Sequence, residues 1–195
     1  MAPEIPVIET KRLRLRAPEL RDFAPYAAFR ASDRSQYIGG PNTRIQAWTM
    51  FTSLIGQWVL RGHGRWVIAD RKTDDALGTV GLFHPDGWPE PELAWSVFEA
   101  AEGRGIAYEA AKTARRYIYD VLQWTRLVSM IGGENARSEA LARRLGCAPA
   151  GSFEFPSFGE MTVWLHPFPA ADDVRLVWDS GRQVYDTAVE KGAAR

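Results

Sequence analysis

Cysteine is nearly missing from this chain: Cys147 is the only one, which excludes an internal disulfide framework and fits a reducing compartment. An excess of either charge is missing too. Lysine plus arginine number 24, as do aspartate plus glutamate, so no overall field draws the chain to nucleic acid or an acidic membrane. No apolar run approaches the roughly 20 residues of a membrane helix, and the opening MAPEIPVIETKRLRLR has no signal-peptide core. There is no internal repeat, no Gly-Lys-Ser/Thr phosphate loop and no G-x-S-x-G elbow. His63, His84 and His166 lack metal-ligand spacing, so no metal site is expected. Aromatic residues, by contrast, make up 12% of the chain and include eight Trp, a composition that argues for a packed core and against disorder. The expectation is one cytoplasmic domain with neither a nucleic-acid nor a membrane partner.

Periodicity orders the chain. RLRLR (12–16) alternates like a half-buried strand, with its arginines read as a solvated face. APELRDFAPYAAFRAS reads as a helix, QYIGGPNT (36–43) as a loop, and RIQAWTMFTSLIGQWVLRG as a second helix with Trp48, Phe51, Ile55 and Trp58 as its core stripe. RWVIAD (65–70), ALGTVGLFH (76–84) and ELAWSVF (92–98) then form an antiparallel meander. A long helix at about 105–122, the strand RLVSMIGG (126–133) and a short helix in NARSEALARRLGC follow. GSFEF and MTVWLH finish the strands, and 167–195 reads as a mixed tail with a helix of frayed end. Strand 92–98, helix 105–122 and strand 126–133 make a βαβ unit, whose ligand site lies where the chain leaves the first strand for the helix.

That point is EAAEGRG. Glycine is a poor helix former, yet the helix opens on Gly103-Arg104-Gly105. Bare N–H groups at a helix start, with the positive end of the dipole, suit an anion. The G-x-G-x-x-G pattern fails because position 108 is tyrosine, and a ligand-free turn is the plainer reading of Gly-x-Gly alone. Context favours a ligand: Ala107, Ala110, Ala111, Ala114 and Ile118 give the helix a small face that packs closely on a sheet, and Arg104 adds a cation able to pair with phosphate.

In order and spacing, ELAWSVF, EGRGIAYEA, RLVSMIGGENARS and EALARRLGC resemble the GCN5-related N-acetyltransferases. IETKRLRLRAPELRDFAPYAAF points to their ribosomal-protein-alanine acetyltransferase-like branch. The resemblance spans roughly residues 7 to 166, so a domain at 1–166 and an extension at 167–195 are expected. It implies an α+β fold, a mostly antiparallel mixed sheet of about seven strands flanked by about four helices. It implies acetyl-CoA as cosubstrate, its diphosphate cradled by backbone N–H groups of Gly103, Arg104, Gly105, Ile106 and Ala107. The turn departs from the family pattern at Glu102, where Gln or Arg is usual. The resemblance further implies that Asn135 contacts the pantetheine arm, that Ser138 lies near the thioester sulfur, and that the N–H groups of Val97 and Phe98 bind the pantetheine amide and polarise the carbonyl. Asn135 is equally a good helix cap.

Direct acetyl transfer to an amine needs a base, a polarised carbonyl and a proton for the departing thiolate, but no nucleophile on the enzyme. Cys147 is accordingly read as a small buried residue. Glu92 shares a strand face with Ala94 and Ser96 and is the candidate base, a solvated carboxylate at a strand start being the even alternative; Ser138 is the candidate proton donor. Tyr37, Trp48, Phe83, His84 and Trp88 are candidate walls of the acceptor site, with loop 84–91 over its entrance. The acceptor is a protein N-terminus or a small primary amine. A non-catalytic acyl-CoA-binding protein of the same fold is the alternative, and a homodimer using the 167–195 tail is a further expectation.

Overall fold

A computed structural model describes residues 4–156, 158–170 and 175–188. The chain begins with β1 (Ile8–Glu9), β2 (Leu13–Arg16), α1 (Phe23–Arg30) and α2 (Arg44–Arg61). The meander β3 (Arg65–Asp70), β4 (Ala76–Phe83) and β5 (Glu92–Val97) follows, then α3 (Ile106–Asp120), β6 (Val128–Gly132) and α4 (Ala136–Arg144). Strands β7 (Ala148–Phe155), β8 (Gly159–Leu165), β9 (Arg175–Asp179) and β10 (Val184–Ala188) end the described chain. All ten strands join one sheet in the order β7-β8-β6-β5-β4-β3-β2-β1-β10-β9. Among the described residues only β5–β6 and β1–β10 are parallel.

The meander and the βαβ unit stand where periodicity put them. Two expectations change. The sheet has ten strands, not about seven, because β1 is a two-residue bridge and the tail forms a hairpin. The tail helix is replaced by β9 and β10, with β10 alongside β1; alternating side chains in RLVWD and VYDTA suit a strand. Residues 1–3 and 157 of the expected domain, and 171–174 and 189–195 of its extension, lie outside the described residues.

The arginines of RLRLR do not all face water. Arg16 is 5% exposed and forms a two-pronged pair with Asp22 at 2.7 and 2.9 Å, with Asp74 adding a third contact at 3.1 Å. Two carboxylates offset the desolvation of one guanidinium, which makes its burial tolerable. On α2 the buried stripe is Ala47, Phe51, Leu54 and Trp58, whereas Trp48 and Ile55 are more than 40% exposed. Trp48 instead packs edge-on against Phe23 of α1, at 4.9 Å between ring centroids.

The main core lies on one face of the sheet, where Ile68, Val80, Leu82 and Leu93 meet α3. Ala110, Ala111 and Ala114 are fully buried there, and these small side chains bring the helix axis close to β4 and β5. Alternation then turns Arg65, Gly81, Glu92, Ala94 and Ser96 to the opposite face, beneath α1 and α2. Ala114→Leu should wedge α3 off the sheet and cost about 1–3 kcal/mol of stability, measurable as a lowered midpoint in urea unfolding.

Candidate active site

The site begins with a parting of strands. β5 and β6 share one register pair, Glu92 with Val128, after which β6 stays with β8 and β5 stays with β4. The Phe98 N–H donates to Leu77 O at 2.8 Å, which sets the ladder's parity. In an antiparallel ladder alternate residues turn their polar groups to the partner strand. Ser96 therefore faces β4, while Trp95 and Val97 turn N–H and C=O into the gap. Val97, expected to offer its N–H here, opens its polar groups on the gap. Phe98, expected beside it, does not: its N–H is committed to β4, and its ring is buried against Tyr26 and Phe29. Trp95 opens on the gap instead, a residue that only the register could reveal.

A buried relay holds the branch point. Ser129 Oγ lies 2.5 Å from the carbonyl oxygen of Leu93, which can only accept, so the hydroxyl donates there. His166 Nε2, 2.9 Å from Ser129 Oγ, must then donate to it. That leaves Nδ1 to accept from the Cys147 thiol at 3.2 Å. Burial pushes His166 down to about 3 and Cys147 up to about 11, so both are neutral around pH 7. The Leu93 carbonyl is thus satisfied by a side chain at the point where the strands separate.

Gly103 and Gly105 both have φ above +70°, a left-handed conformation that side-chain-bearing residues rarely adopt. A Cβ at Gly103 would meet nothing within 4 Å, so conformation rather than space demands glycine there. The first bond within α3 runs from the Glu109 N–H to Gly105 O, which leaves the N–H groups of Ile106, Ala107 and Tyr108 without helical acceptors. These groups open on a cleft of about 350 Å³ between β5, the glycine turn and α4, also lined by Val97, Asn135 and Arg144. Arg104 turns the other way. Its guanidinium lies 3.5 Å from Ala100 O and lines a separate hollow with Lys11 and Arg12, because the left-handed glycines on both sides point it outward. The cations facing the cleft come instead from Arg34, Arg137 and Arg144. Arg34 and Arg137 both bond Glu102, and Arg34 also bonds Glu99, so the two acids fix these arginines at the turn. No spacing rule on the chain links residues 34, 102 and 137; only the fold does.

The N–H of Ser138 donates to Asn135 Oδ1 at 3.2 Å, so Asn135 does cap α4. Both residues, together with Tyr37, Trp95 and Ser96, also line a second cavity of about 340 Å³ that continues from the cleft. Phe83, Trp88 and Glu92 line this cavity, whereas Trp48 and His84 do not. Trp48 belongs to the α1–α2 contact. His84 stands one residue beyond the end of β4, outside the wall that Phe83 forms. Trp88 of loop 84–91 is buried against Phe83, Phe155 and Phe158, an aromatic lid on the cavity's far end.

Glu92 is 5% exposed, and its Oε2 accepts from the Met130 N–H at 2.6 Å. Burial raises it to about 7, opposed by that N–H and by the charge of Arg65. A carboxyl poised near neutrality in a cavity is suited to exchange protons. The solvated alternative for Glu92 is thereby excluded. Sequence reasoning missed Arg30 and Arg65, which line the same cavity.

The acetyltransferase (GNAT) domain family model matches residues 12–148. The chain belongs to the GNAT acetyltransferase family. An acetyltransferase from Agrobacterium tumefaciens str. C58 is 34% identical, with a TM-score of 0.78 over 84% of this chain and 95% of that one. The ribosomal-protein-S5-alanine acetyltransferase from Vibrio fischeri shares the fold at 14% identity, with a TM-score of 0.62 over 83% and 96% of the two chains. So does a ribosomal L7/L12 alpha-N-protein acetyltransferase in complex with coenzyme A, at 14% identity and TM-score 0.65 over 82% and 97%. GNAT acetyltransferases use acetyl-CoA, and the cleft fits it: a strand edge with free amide groups, unpaired helix N–H groups and three arginines. Among the described residues no helix is long and apolar enough to cross a membrane.

Forcing the turn should be felt at once. Gly105→Ala places a side chain in the left-handed region, at about 1–2 kcal/mol. A lower melting temperature and several-fold weaker acetyl-CoA binding by calorimetry are expected.

Proposed function

We propose that this acetyltransferase moves the acetyl group of acetyl-CoA directly to a primary amine, on a protein N-terminus or a small molecule. The observation that carries this reading is the junction of the two cavities at Ser96, Asn135 and Ser138, with Glu92 buried in the second. The family assignment supports the donor, and the coenzyme A complex of the L7/L12 enzyme supports it further.

Each residue has a defined task. The turn 103–107 and Arg137 hold the diphosphate. The free N–H groups of Trp95 and Val97 bind the pantetheine arm as a missing strand would and polarise the thioester carbonyl. Glu92 takes the proton that the amine gives up as its nitrogen bonds to the acetyl carbon. The C–S bond breaks, and the Ser138 hydroxyl passes a proton to the departing thiolate, recovering one from water. The aromatic lid around Trp88 keeps bulk water from the amine.

A base that titrates near 7 gives the pH dependence. Turnover should rise with pH through about 7 and level off above it, as Glu92 loses its proton. Glu92→Gln should lower kcat by about 10²–10³-fold and abolish that rise. Stability should move the opposite way. A carboxyl raised from 4.5 to about 7 by folding favours the folded state below 4.5, a benefit lost as pH climbs through 7. Glu92→Gln should therefore unfold at an equal or higher temperature at pH 8. The deciding experiment is calorimetric titration with acetyl-CoA, ATP and NAD, followed by thiol-release assays over an amine panel. Selective acetyl-CoA binding with turnover sensitive to Glu92→Gln and Ser138→Ala supports transfer. Binding without turnover of any amine would leave a non-catalytic acyl-CoA-binding protein.

A further inference from the structure

The acceptor cavity contains a charge that the chain does not balance. Arg65 opens β3, its side chain on the same face as Glu92. Its Nε is buried without a hydrogen-bond partner, and among the described residues no carboxylate lies within ion-pair distance. Its guanidinium sits over the Phe83 ring, 4.6 Å from the centroid. Stacking occupies the face of the fork and leaves its in-plane N–H groups, the geometry that grips a carboxylate by two bonds.

Arg30 stands behind it, 4% exposed, held by neutral oxygens only: Asn42 Oδ1 at 2.8 Å and Ile38 O at 3.0 Å. Two guanidinium groups, that of buried Arg30 and that of partly buried Arg65, thus share the cavity with one acid, Glu92. An uncompensated buried charge is costly, and a plain ammonium ion approaching two guanidinium groups would be repelled. An amine that brings its own anion removes both difficulties.

The floor sets the scale. Arg65 pairs with Gly81 of β4, the one strand between β3 and β5, and Gly81 pairs with Ala94 of β5, so the floor beside Arg65 is made of two small residues. The two strands lie about 10 Å apart. Glu92 leans toward β6, where it accepts from the Met130 N–H, and Arg65 lies over Phe83, so the two groups stand apart across the cavity with room for an amine and a carboxylate joined by a short chain.

We propose that the acceptor is a carboxylate-bearing amine, its carboxylate bound by Arg65 and its amino group turned to Glu92. This deepens the transferase reading and rests on it for the role of the amine. The carboxylate is either that of a free amino acid or an acidic side chain next to a peptide N-terminus.

The test compares amines that differ in charge alone. Thiol release from acetyl-CoA is followed with the common amino acids, with their amides, and with tripeptides carrying Asp or Asn at the second position. The acid of at least one pair should be used about 10- to 100-fold better than its neutral partner in kcat/KM, the worth of one charge-assisted contact. Arg65→Met should reduce that preference to near unity through KM, with acetyl-CoA affinity unchanged. Arg65→Lys should restore part of it. Because Arg65 makes no ion pair in the fold, Arg65→Met should melt no lower than the parent, and a melting scan checks this. An amino-acid preference fixes the carboxylate on the acceptor's own backbone, and a tripeptide preference fixes it on a side chain. Equal use of acids and neutral partners, or a preference that survives Arg65→Met, overturns the proposal. If nothing is acetylated, calorimetry with the same acids and amides decides. Acid binding lost in Arg65→Met would uphold the anion site while the transferase reading falls, and no binding of either would overturn the site as well.

Discussion

A parallel pair of strands that stops pairing after one residue is the constraint on which the rest of the site depends. Had β5 and β6 continued together past Glu92 and Val128, the amide groups of Trp95 and Val97 would be consumed by the sheet. No cleft would then separate the glycine turn from α4. The separation is maintained from both sides: β4 keeps β5 through Val97, and β8 keeps β6 through Gly132. Between them the Ser129 hydroxyl satisfies Leu93 O, the first carbonyl past the last shared pair. The same parting puts Glu92 at the apex of the cleft, the last residue paired on both sides, which explains why it is buried and why its proton is held so near neutrality.

Two electrostatic regimes meet at that apex. On the cofactor side the positive charge is distributed and wet: Arg34 and Arg137 share Glu102 near the surface, and salt will screen them. On the acceptor side the charge is concentrated and less exposed, with buried Arg30 and partly buried Arg65 lining one cavity. The first suits a large polyanion that docks by many modest contacts. The second suits discrimination, because a wrong partner there leaves a charge unpaired.

Much of this was legible in the chain. Alternation and turn residues predict the meander, the βαβ unit and the helix opening at Gly105, since each is a local pattern. The glycines of the turn are readable because only a backbone requirement explains glycine there. Glu92 could be singled out by its face, but not its burial, which depends on Met130 and on the cover of α1 and α2. What eluded sequence reasoning was non-local. Arg104 looked like the phosphate cation because it is adjacent in sequence, whereas Arg137, some 30 residues on, faces the cleft. Arg65 reads as an ordinary polar strand start, and its isolation is visible only once Gly81 and Phe83 are beside it. Trp48 and Ile55 follow helical spacing as well as the true core stripe does; only the packing of α1 chooses between the two faces. The tail hairpin needed β1 as a template, and a two-residue strand is too short to announce itself.

The relay from Cys147 through His166 and Ser129 to Leu93 has one more consequence. The chain's lone thiol spends its hydrogen on an imidazole that is itself kept neutral, and it sits where α4 returns to the sheet. Such a thiol is invisible to a disulfide reagent until that corner opens. The protein therefore carries a built-in clock for its own breathing, because the rate at which such a reagent reaches Cys147 reads how often β6, β8 and α4 come apart.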